Sequence, residues 1–186
     1  MALNAYDLSA GGFVRGLTNL NAQLAKAKIH VAASGLDEAT LLQARLARDA
    51  QSGVVAGAAQ HDLHKYTLAA HVHWAAEGAR LAIARVLGAR PAPTASDAKT
   101  FADLHQRIDG AIAYLRGIAA SDLEAGLGRP IVIERSGGSV SSNGGQYLVA
   151  FAIPHFFYHV TTAYGILRNE GVPLTMGDFV GNWGVA

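Results

Sequence analysis

The sequence predicts an all-α protein built as a four-helix bundle. Four long stretches repeat apolar residues in steps of three and four, the mark of amphipathic helices. The connections between them are unequal and punctuated by Gly, Pro and Ser. Hydrophobic residues make up 51% of the 186-residue chain and charged residues only 16%, so one well-buried domain spanning residues 1–186 is expected.

The first seam runs Phe13, Leu17, Leu20, Leu24, Ala27, Val31, with Ser9 or Asp7 placed to cap its start. LDEATLLQARL, from Leu36, reads as a short helix capped by Asp37. Asp49 to Asp62 are rich in small side chains and read as an insertion or loose connection. The second long seam is Leu68, Val72, Ala75, Ala79, Ala82, Val86, closed by Gly88 and the RPAP that follows. The third is Phe101, Leu104, Ile108, Ala111, Leu115, Ile118, entered through Ser96 and Asp97. Ile131–Ile133, followed by Gly and Ser, marks a β-strand or hairpin before the last helix. That helix starts near Gln146 and runs to Gly171 along Val149, Ile153, Phe156, Val160, Ala163 and Leu167. Pro154 inside it removes an amide donor and presses on the carbonyl of Ala150, which predicts a kink.

Composition narrows the function. Fifteen Lys and Arg against fourteen Asp and Glu leave no basic footprint for nucleic acid. Cys is absent, which excludes disulfides, thiolate metal ligands and cysteine nucleophiles. No apolar run is long enough for a membrane span. The N-terminus lacks the pattern of a signal peptide. A soluble, cytoplasmic protein is the expectation.

His155 and His159 lie four apart in PHFFYHV, so on a helix they share one face and could offer two imidazoles to one ion. With eight histidines in the chain, that spacing is also met by core residues bonded to tyrosine, threonine or backbone. A third ligand would come from HDLHKYTLAAHVHW. Taking the second seam as the core direction, His71 falls roughly 60° from its centre and His73 roughly 140° away. His71 is therefore expected inside and His73 in solvent. His64 is a reserve on a face similar to that of His71. His30 and His105 read as surface or boundary residues, and the His61–Asp62 pair lacks the partners of a phosphohydrolase motif.

Three neutral imidazoles suit zinc, nickel or ferrous iron and leave a position open for water or substrate. Residues 156–158 are Phe, Phe and Tyr, so the carboxylate of a protease helix is missing. Tyr158 and Tyr164 are weak candidates for orienting a bound group, and Arg168 could meet a carboxylate. No paired carboxylates, phosphate loop or nucleophile elbow is present.

YLVAFAIPHFFYHVTTAYGILRNEGVPLTMGDFVG, from Tyr147 to Gly181, resembles the C-terminal signature of a domain-of-unknown-function branch of the DinB/YfiT-like metalloenzyme superfamily. FVRGLTNLNAQLAKA, LLQARLA and TFADLHQRIDGAIAYL are similar to the same family's earlier segments. The resemblance covers most of the chain and is weakest between Asp49 and Lys65. It implies an up-down-down-up bundle with one metal-binding histidine from the second helix and two, four apart, from the last. These fall on His71, His155 and His159, with His64 or His73 as substitutes if the insertion shifts the alignment. It further implies a thiol-dependent transferase or isomerase, a low-molecular-weight thiol as partner, and a homodimer. The competing expectation is a metal-free bundle serving as a small-molecule sensor or dimeric scaffold.

Overall fold

The computed structural model describes residues 3–46, 66–135 and 138–182. It is mostly helical, with one small hairpin. In chain order the elements are α1 (Ala5–Leu8), α2 (Ala10–Ser34), α3 (Glu38–Leu42), α4 (Leu68–Val86), α5 (Phe101–Arg116) and α6 (Ala120–Gly126). Strands β1 (Pro130–Arg135) and β2 (Gly138–Asn143) follow. Then come α7 (Gly144–Tyr147), a π turn (Leu148–Ala152), α8 (Ile153–Asn169) and α9 (Met176–Val180). Residues 49–65, with His61, His64 and the loose connection, lie outside the described residues, as does Trp183.

Local chemistry sets the helix starts. Thr67 accepts from the Ala70 amide to open α4, and Asp37 accepts from Thr40 to open α3. Two expectations are corrected here. Ser9 occupies the N-cap position of the first long helix, but its hydroxyl makes no capping bond and donates back to the Ala5 carbonyl; Asp7 instead completes the capping box of α1 with Asn4. Helix α5 is entered through Thr100, which forms a reciprocal box with Asp103. Asp97 instead pairs with Arg107 at 2.8 Å. Thr100 wins because it stands three residues before an acid, the spacing a reciprocal cap requires.

The four long helices share one core. Helix α4 packs along α8 and α5, and α2 packs along α5, α8 and α4. The seams of α2 and α5 are buried through Phe13, Leu17, Leu20, Leu24, Phe101, Leu104 and Ile108. Close approach of α2 to α8 requires Gly16, where a Cβ would stand 2.7 Å from the Phe156 ring.

Helix α4 differs from a one-faced helix. Besides its seam it buries Ala69, Ala76, Leu81, Ile83 and Ala84, so nearly its whole circumference is covered. Part of that cover is the segment after α4. Glu77, only 4% exposed, accepts from Arg80 at 2.7 and 3.0 Å and from the Thr94 amide at 2.8 Å. This clasp holds the connection to α5 against the middle of α4.

In the last helix the expected kink takes the form of the π turn, where the Ile153 amide reaches back to Leu148. Pro154 supplies no N–H for Ala150, and a wider turn accommodates both the missing bond and the ring. One extra residue per turn shifts the helical phase by about 100°. That corrects the seam: Val149 is 71% exposed, while Phe156, Val160, Ala163 and Leu167 are buried as expected.

The hairpin pairs Ile131 with Ser142 and Ile133 with Val140 in antiparallel register. Ile131 is its buried anchor. Among the described residues no helix is long and apolar enough to cross a membrane.

Candidate metal centre

Helices α4 and α8 bring His71, His155 and His159 together. Facing positions place His71 against His159, and Gly78 beside His155, where a Cβ would stand 3.3 Å from His155 Nδ1. His71 Nδ1 lies 2.9 Å from His159 Nδ1, and His159 Nε2 lies 3.3 Å from His155 Nε2. Aromatic rings enclose the group. Tyr66 meets His71 and His159 edge-on at 5.6 and 5.7 Å, and Tyr158 meets the same two rings at 5.8 and 5.0 Å. Phe151 stacks on His155 at 5.2 Å.

This apolar enclosure keeps the imidazoles neutral. Burial pushes His71 down to about 4. Burial, reinforced by repulsion from His155, His71 and His73, pushes His159 down to about 3. His155 is lowered as well, by burial and then by the charge of Arg85. Neutral imidazole is the form that ligates divalent metals, so the donor set has the right chemistry.

The geometry meets part of the requirement. Donors 2.0–2.1 Å from a tetrahedral ion stand about 3.3 Å apart, which the His155–His159 distance matches and the His71–His159 distance undershoots. His159, however, turns a different nitrogen to each neighbour, so the rings form a chain. Among the described residues no three His, Asp or Glu side chains converge on a single point. Closing all three on one ion requires His159 to rotate and give up one contact.

Three candidates from the sequence, His73, Tyr164 and Arg168, fall elsewhere. His73, expected in solvent, is 1% exposed, because α4 is covered all round and its apolar seam does not mark a single inner face. Neither ring nitrogen of His73 has a hydrogen-bond partner among the described residues. Burial and then Arg107 lower its pKa, against an upward pull from Glu77 and Asp97. Tyr164 packs against Phe179 at 5.3 Å, with Arg168 5.9 Å over its ring. This pair docks the C-terminal α9 on the last helix. His105 is half-buried against Asn21.

Sequence reasoning missed Tyr66. It precedes the N-cap of α4, where no helical periodicity marks a face; its adjacency to that cap, five residues before His71, was the available signal.

Residues 5–180 match the family described as Domain of unknown function (DUF1993). A solved structure described as a DinB family member protein from Shewanella denitrificans is 31% identical to this chain, with a TM-score of 0.77. The match covers 95% of this chain and 91% of that one. No curated protein matches the sequence.

Proposed function

The chain belongs to the DUF1993 family, a DinB-like branch, and from that premise we propose that it is a divalent-metal protein whose ligands are His71, His155 and His159. The observation that carries this reading is the contact of three neutral imidazoles, His71 and His159 buried and His155 half-buried, at 2.9 and 3.3 Å across two helices. Zinc, nickel or ferrous iron suits such donors. An ion held by three imidazoles supplies a Lewis-acid position that makes a nearby thiol or water more acidic. Around it, Tyr66 and Tyr158 exclude water and orient the bound group. The activity proposed is transfer or isomerisation with a low-molecular-weight thiol, by analogy with the superfamily.

The scaffold proposed is a single four-helix domain in up-down-down-up order, formed by α2, α4, α5 and α8. End-to-end contacts support the order. The Ala5 amide at the α2 entry meets Glu124 beyond the α5 exit, so these helices oppose. Bonds from Leu68 to Ala44 and from Phe101 to Glu38 put the starts of α4 and α5 beside α3. Phe13 against Phe156 and His30 beside Gly171 run α2 and α8 the same way. The oligomer proposed is a homodimer, supported by Val149 and Phe157, exposed by 71% and 37% on the outer side of the last helix.

A second reading has its own support. The imidazole chain satisfies His159 at both nitrogens without an ion, as a metal-free sensor or scaffold needs. Elemental analysis of untagged protein separates the two. Near-stoichiometric metal in wild type, lost in His155→Ala/His159→Ala, is expected. No metal after reconstitution with each ion would reject the first reading in favour of the second.

A further inference from the structure

A cavity of about 460 Å³ opens where the end of α4 meets the start of the hairpin. Its wall carries three arginines, Arg85, Arg90 and Arg129, from three separate segments, and among the described residues no acidic side chain lines it. In a chain whose cations and anions nearly cancel, three arginines around one space, with no carboxylate among its described lining residues, concentrate positive potential there.

Two of the three are held in place by the fold. Arg85 Nη1 donates to the Tyr147 hydroxyl at 3.0 Å, which fixes its stem along α4. Arg129 donates to the Leu87 carbonyl, capping α4 at its C-terminus. Its guanidinium lies where a Cβ of Gly88 would stand only 1.7 Å from Nη1, and Gly88 has a φ of +86°. Capping accounts for one donor of Arg129 and the tyrosine contact for one donor of Arg85. Among the described residues the remaining donors of both have no partner, and Arg90 makes no hydrogen bond or ion pair.

We propose that this cavity binds an oxyanion-bearing small molecule, its phosphate or carboxylate group seated between Arg85, Arg90 and Arg129. Guanidinium groups present planar pairs of N–H donors that match two oxygens of either group. The volume exceeds that of a lone inorganic anion and falls in the range of small-molecule sites. The hairpin supplies the apolar side of the cavity through Ile131, Val132 and Ile133, so the rest of the ligand has a surface to lie on. This site shares no lining residue with the histidine cluster, although the charge of Arg85 reaches His155.

The test is an amide NMR titration at constant ionic strength, with pyrophosphate in one arm and citrate in the other. Binding by either is expected to move the amides of Gly88, Ala89, Arg90 and Ile131. Response to pyrophosphate alone assigns a phosphate ligand, and response to citrate alone assigns a carboxylate. Arg90→Gln and Arg85→Gln, which leave the capping Arg129 intact, should each weaken binding tenfold or more. His155→Ala/His159→Ala should bind as wild type does, which separates this inference from the metal reading. Shifts scattered over the surface, or affinities unchanged in both arginine variants, would overturn it.

Discussion

Each imidazole of the cluster is held neutral by what surrounds it, and that has a measurable sign. His71 titrates at about 4 when folded against 6.5 when free. The unfolded chain therefore binds the extra proton first, and stability is complete above about pH 6.5 and declines as pH falls toward 4. For this shift the loss amounts to about 3 kcal/mol. His71→Gln, neutral throughout, should make urea-unfolding stability less steep across that window, with His159 still contributing to the slope. A slope equal to wild type would remove His71 from its sources. Gly78 acts on the cluster without being a ligand. Its Cβ position, 3.3 Å from His155 Nδ1, requires the ring to move by a few tenths of an ångström when filled. Gly78→Ala should therefore weaken metal binding about tenfold while leaving helix content unchanged or higher. Circular dichroism beside elemental analysis reads both; full metal retention would show that the ring has room.

At the scale of elements, α4 is the member on which the site depends, and the Glu77 clasp seals its outer side. Burial works to raise the Glu77 carboxyl, but bonds from Arg80 and the Thr94 amide outweigh it and hold the group below its usual range. A depressed carboxylate contributes stability above its unfolded value, near 4.5, and loses it as pH falls below. Glu77→Gln should cost about 2–3 kcal/mol at neutral pH and speed hydrogen exchange at Thr94. Exchange left as slow as in wild type would mean that the connection is held by other contacts. The π turn works at the same scale. By adding a residue before Pro154 it rotates everything upstream of Ile153 relative to the core, which is why Val149 faces out while Phe156 and His159 face in.

For the whole molecule, the outward face of the last helix is where a second copy would dock. Val149 and Phe157 offer apolar area that α8 does not bury internally. Phe157→Glu should convert the proposed dimer to monomer in sedimentation equilibrium, with the melting temperature at most a few degrees lower. A wild-type chain that already sediments as a monomer would refute the dimer. Because the histidine cluster lies between α4 and α8, metal occupancy is expected to survive in the monomer.

Sequence by itself determined the helical class, the seams of α2, α4 and α5, and the hairpin. Each is written in residues close along the chain: steps of three and four, a Gly or Pro, an Asp before a helix. The pairing of His155 with His159 was legible for the same reason, since four residues on a helix set one face. What lay beyond reach depended on neighbours distant in sequence. His73 was expected in solvent because an apolar seam normally leaves the opposite face wet, yet the segment clasped to Glu77 and the packing of α5 cover that face. Tyr66 carries no periodic signal, and only folding brings it beside His71 and His159. The arginine cavity joins residues 85, 90 and 129. Local periodicity records which way a side chain leaves its own helix; what it meets there is decided by long-range packing, and so only the tertiary structure decided it.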